Sequence, residues 1–172
     1  VYFNPNIPTE ENFCMPHNKK INGVVVATKP LNYGGKLIED FSLTFKDGKV
    51  VEYDAKKEKE ALKSLIEFDK GSSSLGEVAL ISHDSPISNM NILFYNTLFD
   101  ENASCHLALG ASYTTTNLKD AEKYSEEELD ALGSNQSHTH VDFMFGSSDM
   151  EVTGLTHDGK VIQIFKNGNF VF

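Results

Sequence analysis

Residues 41–48 read Phe41-Ser42-Leu43-Thr44-Phe45-Lys46-Asp47-Gly48, and this stretch decides the fold class. Apolar and polar side chains alternate through Phe45, so one face of a β-strand is buried and the other meets water. The Asp-Gly pair that follows favours the tight turn between two antiparallel strands. The stretch therefore predicts a β-hairpin that turns at residues 47 and 48.

Two turn signals of the same kind lie near the C-terminus. Asp158-Gly159 and Asn167-Gly168 flank an apolar run from Val161 to Phe165. We expect this run to pair backward with residues 151–156 and forward with residues 170–172. A parallel sheet would need repeated crossover helices, which the sequence lacks. The predicted fold class is therefore α+β, with a curved or barrel-like, mainly antiparallel β-sheet and a few helices.

Two short helices are predicted. The first runs from about Ala55 to Phe68, where apolar residues fall on one stripe and Gly71 supplies a C-terminal stop. The second begins with a capping box, in which Ser125 precedes Glu128 by three positions, and it ends at Gly133.

Length and charge restrict the function classes. The 172 residues correspond to one domain, and 15 Lys and Arg against 25 Asp and Glu give a formal net charge of −10. A surplus of carboxylates repels nucleic acid and anionic membrane, but it suits divalent metal ions. With only Cys14 and Cys105 present and no apolar run long enough to span a bilayer, we expect reduced thiols and a cytoplasmic protein.

The clearest chemical signal is the alternating run of residues 137–146. In a strand, His138, His140, Asp142 and Met144 share one face, while the face that includes Phe143 belongs to the core. A histidine and an aspartate two positions apart can direct an imidazole nitrogen and a carboxylate oxygen at one metal ion. The alternative is an exposed polar face without a ligand.

Two further segments carry unusual polar residues. Glu77 lies in the otherwise apolar strand of residues 76–81, where a carboxylate needs either a partner such as a metal ion or a position facing water. The apolar segment that begins at Leu93 changes abruptly to the polar residues 100–106, a transition that marks the floor of many sites. Cys105 and His106 are adjacent, so they point apart on an extended chain and do not form a nucleophile and base pair.

Taken together, these segments resemble the thermophilic-type metallo-aminopeptidase family typified by aminopeptidase T and aminopeptidase S. The resemblance covers essentially the whole chain as several blocks in one order. The blocks are residues 8–11 (Pro-Thr-Glu-Glu), 28–31 (Thr-Lys-Pro-Leu), 76–80, 84–88, 93–110 and 140–146.

The resemblance implies a two-metal site and assigns its residues. The metal ligands that it implies are Glu11, Glu77, His106, Tyr113, His140 and Asp142. Glu11 is chosen over Glu10 because the first family ligand lies 66 residues before the second, and 77 − 66 = 11; Glu10 stays open as the alternative. The catalytic glutamate of the family, five residues before the first histidine ligand, corresponds to Glu101.

The function implied is hydrolysis of the N-terminal peptide bond of peptides by a water activated at two divalent metal ions (zinc, cobalt or manganese), with Glu101 as general base. The resemblance implies that residues 1–172 are one metal-binding catalytic domain, the C-terminal part of a longer two-domain protein. The partners that the resemblance implies are peptides with a free N-terminus. Whether the full-length protein forms a homodimer is left open by the sequence. The alternatives are a non-catalytic β-rich binding module, a fragment inactive without its N-terminal domain, and a single-metal hydrolase.

Overall fold

The computed structural model describes residues 10–172, with the side chain of Thr116 excepted. Residues 8 and 9 of the Pro-Thr-Glu-Glu block lie outside the described residues. Within them, the chain forms eleven β-strands. These are β1 (Asn12–Cys14), β2 (Gly23–Val26), β3 (Leu31–Tyr33), β4 (Lys36–Lys46), β5 (Lys49–Lys57), β6 (Leu75–Leu80), β7 (His106–Gly110), β8 (His140–Met144), β9 (Val152–Leu155), β10 (Val161–Lys166) and β11 (Asn169–Phe170).

The helices of the described residues are short. They are α1 (Lys59–Ile66), α2 (Pro86–Met90), α3 (Thr97–Asp100), α4 (Thr114–Asn117) and α5 (Glu126–Ala131), with 3₁₀ turns at Glu101–Ala103 and Ala121–Lys123. In residues 10–172 we find no helix with the length and apolarity needed to cross a bilayer.

The strands form three antiparallel sheets, which confirms the predicted α+β class. The first sheet has the order β1-β6-β7-β8, the second has the order β2-β4-β3 with β5 paired to β4, and the third has the order β11-β10-β9. None of these sheets closes into a barrel in the part of the chain that the structure describes, so the barrel-like variant of the prediction does not apply.

The predicted turns join the strands as expected. Asp47 and Gly48 both have positive φ angles, 48° and 85°, and connect β4 to β5, where Lys46 pairs with Lys49. The other two turn signals connect β9 to β10 and β10 to β11. Two adjacent residues with positive φ match the twist of the flanking strands, which is why Asp47-Gly48 and Asn167-Gly168 form tight hairpins. At Asp158-Gly159 only the glycine has a positive φ.

The first predicted helix is wrong at its N-terminal end. Ala55 belongs to β5, where it pairs with Phe41, and the helix begins only at Lys59. Residues 55–57 have good intrinsic helix propensity, but pairing with the long strand β4 outweighs this local preference. The second predicted helix is confirmed with its capping box, in which Ser125 accepts a hydrogen bond from the Glu128 N–H group and the Glu128 carboxylate accepts one from Ser125.

The core lies between the first sheet, the second sheet and α1. Leu62 and Leu65 of α1 are completely buried against the apolar face of β4. Phe41 of β4 contacts Phe143 of β8 with ring centroids 5.5 Å apart, so the two sheets meet directly. The side chains of β7 and β8 that alternate with these core residues point to the opposite face of the first sheet, where the polar candidates lie.

Candidate metal centre

A β-bulge at Gly76 turns Glu77 toward the polar face of the first sheet. Leu75 belongs to the core, and in a regular strand Glu77, two residues later, would share its face. The register shifts between Leu75 and Glu77, so that Leu75 pairs with Leu109 whereas Glu77 pairs with Ala108. Bulges commonly redirect side chains beside functional sites. Here the bulge places a carboxylate among the other polar candidates.

Glu77 and Asp142 occupy the same row across three strands. Ala108 of β7 pairs with Glu77 on one side and with Asp142 on the other. Because its side chain is a single methyl group, Ala108 leaves the space above it to the two carboxylates. His140 lies two residues before Asp142 on β8, and both point to this face. His138 precedes the strand, and its backbone N–H group donates to Asp69 Oδ2 at 2.7 Å, so it takes no part in the row.

Both histidines lie within 4 Å of two carboxylates each. His106 Nε2 lies 3.3 Å from Glu11 Oε2 and 3.3 Å from Glu77 Oε1. His140 Nε2 lies 3.6 Å from Glu77 Oε2 and 3.3 Å from Asp142 Oδ1. The His106 side chain is completely buried, and the two glutamate side chains are at most 8% exposed. Charged groups so far from water need compensating charge close by.

The donor atoms fall into three groups, and within each group they lie within 4.8 Å of one another. The first two groups both contain Glu77. The groups are Glu11 with Glu77 and His106; Glu77 with His140 and Asp142; and Glu101 with His106 and Asp142. Imidazole nitrogen and carboxylate oxygen are suitable ligands for zinc and similar divalent ions. The donor set therefore fits divalent cations.

Backbone carbonyl groups orient both imidazole rings. His106 Nδ1 lies 3.1 Å from the Ser104 carbonyl oxygen, and His140 Nδ1 lies 2.7 Å from the Ala111 carbonyl oxygen. A carbonyl oxygen only accepts hydrogen bonds, so each Nδ1 atom carries the proton and donates it. Nε2 of each neutral ring is then the nitrogen with the available lone pair, and both Nε2 atoms point at the carboxylates. This is the usual arrangement around a histidine that binds metal.

The crowded carboxylates raise the pKa of both histidines. Burial alone would lower the pKa of His106, but hydrogen bonds to Glu11 and Glu77 outweigh burial and raise it to about 10. For His140 the lowering by burial is likewise outweighed by the hydrogen bond and charge of Asp142, and its pKa rises to about 9. The metal-free centre therefore retains protons on its imidazoles in the place of cations.

Glu101 and Asp142 have pKa values shifted in opposite directions. Burial and the negative charge of Asp142 raise the pKa of Glu101 to about 8. Burial would also raise the pKa of Asp142, but the hydrogen bond from His140 and its charge outweigh this and lower the pKa below the usual range. Two neighbouring carboxyl groups with opposite shifts are typical of sites that move protons.

Tyr113 lies at the mouth of the centre, where about half of its surface is exposed. Its ring meets that of His140 edge to face at a centroid distance of 5.0 Å. Burial raises the pKa of the phenol, as does the negative charge of Asp142 and other nearby carboxylates. Tyr113 therefore stays protonated in the metal-free chain, and it is close enough to the cluster to line the same cavity.

A cavity of about 360 Å³ opens above these groups. Its lining contains five of the six expected ligands together with Glu101, and it adds three residues that the sequence did not indicate: Phe13, Thr97 and Leu98. The sixth expected ligand, His106, lies beneath the cavity. Glu10 is not among the lining residues, whereas Glu11 is. This supports the choice of Glu11 over Glu10.

A larger cavity of about 680 Å³ lies elsewhere, between the 28–30 loop and α2. Its lining includes Lys29 and His83 and, among the described residues, no carboxylate. A site for cations needs concentrated negative charge, so the smaller cavity is the candidate despite its size.

The antiparallel α+β fold and the clustered nitrogen and oxygen donors define a domain with candidate ligand groups for divalent metal ions. Comparison with known families agrees and is more specific. The model of the peptidase family M29, described as thermophilic metalloprotease, matches residues 1–170, and the chain belongs to this family.

Three relatives illustrate the similarity. Aminopeptidase 2 of Geobacillus stearothermophilus is 56% identical over 172 residues, which are 100% of this chain and 41% of that protein. Aminopeptidase AmpS of Bacillus subtilis is 55% identical over 170 residues, 99% of this chain and 41% of that protein. The structure of wild-type AmpT from Thermus thermophilus superposes with a TM-score of 0.89 at 42% identity, covering 98% of this chain and 41% of that one. The chain thus spans about two fifths of the length of these relatives.

Proposed function

We propose that this chain carries the catalytic centre of a metal-dependent aminopeptidase, which hydrolyses the N-terminal peptide bond of peptides. The observation that carries the proposal is the position of Glu77, whose carboxylate belongs to two donor groups at once. One group adds Glu11 and His106, and the other adds His140 and Asp142. A shared carboxylate of this kind supports a site for two divalent cations, which Glu77 would help to hold together with the other donors. The reaction is taken from the relatives, which are named aminopeptidases.

The charge of the donor set supports a pair of cations. Glu11, Glu77 and Asp142 supply three negative charges, and a Tyr113 phenolate supplies a fourth. These balance two divalent ions, for which zinc, cobalt and manganese are the candidates. A bound cation lowers the pKa of a coordinated group, so Tyr113 would lose its proton on binding although the metal-free chain holds it.

Glu101 is the proposed general base. Two divalent cations, when bound, would supply an activated water and polarise the carbonyl group of the first peptide bond. Glu101 lines the same cavity as the proposed ligands, and a glutamate carboxylate can take up and return a proton. Its carboxylate would accept a proton from the attacking water and then donate it to the leaving amine.

The size of the cavity supports contact with only a small part of a peptide substrate. With a volume of about 360 Å³, it has room for a single amino-acid side chain beside the cluster. Phe13 and Leu98 give it an apolar wall, so we propose peptides with a free N-terminus and an apolar first residue as substrates.

We also propose that residues 1–172 form one metal-binding catalytic domain. The free thiols of Cys14 and Cys105 support a reducing compartment such as the cytoplasm.

The experiment loads the chain with Co²⁺ and measures release of leucine from a leucyl chromogenic amide, with the N-acetylated amide as a control for the free N-terminus. We expect turnover only of the amide with a free N-terminus. Glu101→Gln should lower kcat at least about 100-fold while cobalt stays bound, since it removes only the base. Glu122→Gln, an exposed change outside the cavity, is the matched control. A chain that binds cobalt without turnover, or an active Glu101→Gln variant, would overturn the respective part of the proposal.

A further inference from the structure

Asn135 is a buried amide outside the cavity that contacts the backbone on both sides of Ala111. It is 4% exposed, and its Nδ2 atom donates to the Gly110 carbonyl oxygen at 2.6 Å and to the Gly71 carbonyl oxygen at 2.8 Å. Its backbone N–H group donates to Ser112 Oγ at 3.0 Å, and its carbonyl accepts from the Ser112 N–H group at 2.9 Å. The residues that precede and follow Ala111 are therefore both fixed to Asn135.

The segment held in this way presents the carbonyl group that orients His140. The Ala111 N–H group donates to the Thr139 carbonyl oxygen at 2.7 Å, and the Ala111 carbonyl accepts from His140 Nδ1, also at 2.7 Å. Gly110 has a φ of +111°, and a Cβ atom there would lie 2.0 Å from the Thr139 oxygen. These contacts hold residues 110–112 with the Ala111 carbonyl facing the imidazole.

We propose that Asn135 is a positioning residue of the metal centre, which acts through the Ala111 carbonyl to fix the ring of His140. The inference rests on the proposed function, because it assumes that His140 Nε2 binds a cation. Without the Asn135 amide, the Gly110 carbonyl loses its side-chain donor and the turn is released at one end. The His140 ring then loses a fixed acceptor for Nδ1, and Nε2 is no longer held toward Glu77 and Asp142.

Asn18 offers a matched control for the loss of a buried amide. It is 7% exposed, and its Nδ2 atom also donates twice, to Asp130 Oδ1 at 3.0 Å and to the Ser134 carbonyl oxygen at 2.8 Å. Neither acceptor contacts Ala111 or lines the cavity. Asn18→Ala therefore removes a comparable pair of hydrogen bonds, one of them on the peptide that precedes Asn135, but it leaves the Asn135 amide and its acceptors at Gly71 and Gly110 unchanged.

The test measures Co²⁺ affinity by competition with a chelator, together with thermal unfolding of the metal-free chain. Loss of the direct outer partner of a metal-bound histidine weakens metal binding about 10- to 100-fold. Because the Ala111 carbonyl itself stays in place, we expect Asn135→Ala to weaken Co²⁺ binding near the lower end of this range, by about 10-fold. Asn18→Ala should lower the unfolding temperature by a similar amount and change Co²⁺ affinity much less. In a His140→Ala background, Asn135→Ala should have no further effect on the affinity that remains, since its action passes through the ring.

Two results would overturn the inference while leaving the proposed function intact. One is wild-type affinity in Asn135→Ala, and the other is an equal loss of affinity with and without the His140 ring. If Asn135→Ala does not fold, Ser112→Ala tests the same clamp, because it removes only the oxygen that accepts from the Asn135 N–H group. A smaller loss of Co²⁺ affinity in that variant supports the inference, and no loss overturns it. A wild-type chain that binds no Co²⁺ refutes the proposed function itself.

Discussion

Glu77 Oε1 lies 3.3 Å from His106 Nε2, although the two residues are diagonal neighbours on adjacent strands and not partners in the register. Glu77 pairs with Ala108, and His106 pairs with Ala79. The second carboxylate oxygen of Glu77, Oε2, lies 3.6 Å from His140 Nε2. The two oxygens of one carboxylate thus face two different histidines, and this arrangement leads directly to a prediction about metal stoichiometry.

Removal of Glu77 should empty both proposed metal positions, whereas removal of Glu11 should affect one. Glu77→Ala deletes a donor from both groups, so we expect no retained metal after gel filtration. Glu11→Ala deletes a donor only from the group with His106, so we expect one metal ion per chain, held by the group with His140. Elemental analysis of the purified variants after Zn²⁺ loading measures both numbers.

The matched control for these variants is Glu52→Ala, an exposed change in β5 that leaves every donor in place. It should retain the wild-type metal content. Equal metal content in Glu77→Ala and Glu11→Ala would show that Glu77 is not shared between two ions.

The bulge at Gly76 should not tolerate a side chain. A Cβ atom at this position would lie 2.2 Å from the Ala111 carbonyl oxygen and 2.4 Å from the Gly110 carbonyl oxygen. Both are backbone atoms that cannot move aside without shifting the turn. We expect Gly76→Ala to lower the free energy of unfolding by about 1–3 kcal/mol or more, which urea denaturation measures.

Gly154→Ala in β9 provides the comparison, because its Cβ atom would first meet Ile164 Cδ1 at 3.1 Å, the mobile end of a side chain. Its effect should stay within about 0.5 kcal/mol. Similar free energies of unfolding for the two variants would mean that the close backbone approach at Gly76 does not restrict the side chain there.

Local signals in the sequence were enough for the turns and the second helix. Asp47-Gly48 and the Ser125 capping box act through backbone angles and hydrogen bonds that only a few neighbouring residues decide. The first helix was predicted too long because the pairing of Ala55 with Phe41 is a contact between distant residues. The bulge at Gly76 had only a glycine within a strand as its signal, and this residue type does not specify which way the next side chain turns.

Only parts of the site could be predicted from the sequence. Alternation along residues 140–144 placed His140 and Asp142 on one face, and the structure agrees. That β6, β7 and β8 are neighbours, and that Ala108 separates Glu77 from Asp142, depends on the order of strands in the sheet, which no local pattern encodes. The roles of these residues as ligands came from the family resemblance and stay a prediction until metal content is measured.

Metal binding should release protons at neutral pH. The pKa of His106 is about 10 and that of His140 about 9, so both rings are protonated at pH 7 in the metal-free chain. Cations bind the neutral ring and must displace these protons, so affinity should rise with pH up to about 10. Calorimetry of Zn²⁺ binding in buffers of different ionisation enthalpy should detect at least two protons per chain at pH 7 from the imidazoles, to which the Tyr113 phenol and Glu101 add theirs, and about one fewer for His140→Ala. Binding at pH 7 without proton release would contradict the protonation of the rings.

The metal-free chain should become less stable as the pH rises above neutrality. Both imidazoles have a higher pKa in the folded chain than the usual value near 6.5, so their contribution is complete below pH 6.5 and is lost as the pH rises through 9 and 10. Glu101, whose pKa is raised from 4.5 to about 8, acts in the same direction, with its loss complete above pH 8. The lowered pKa of Asp142 acts in the opposite direction, but in the acid range below its ordinary value of 3.8.

We therefore expect the free energy of unfolding, measured in urea with a chelator present, to fall between pH 6.5 and pH 10. The stabilisation by added Zn²⁺ should grow over the same range. A metal-free chain that gains stability between these pH values would contradict the shifts assigned to the centre.

Tyr113→Phe separates the phenol oxygen from the ring. The variant keeps the edge-to-face contact with His140, whose centroid distance is 5.0 Å, and loses only the oxygen proposed as a ligand. We expect Co²⁺ to bind more weakly by about tenfold or more, with little change in the unfolding temperature of the metal-free chain. Tyr33→Phe, on β3 and outside the cavity, should leave the affinity unchanged. Equal affinities for the two variants would remove Tyr113 from the ligand set.

The most direct test of the central claim is the metal content of the wild-type chain. The chain is loaded with Zn²⁺, freed of excess metal by gel filtration at pH 8, and analysed for zinc and protein in the same sample. We expect two zinc ions per chain, because Glu77 belongs to two donor groups that have no other residue in common. One ion per chain, or none, would contradict a dinuclear centre.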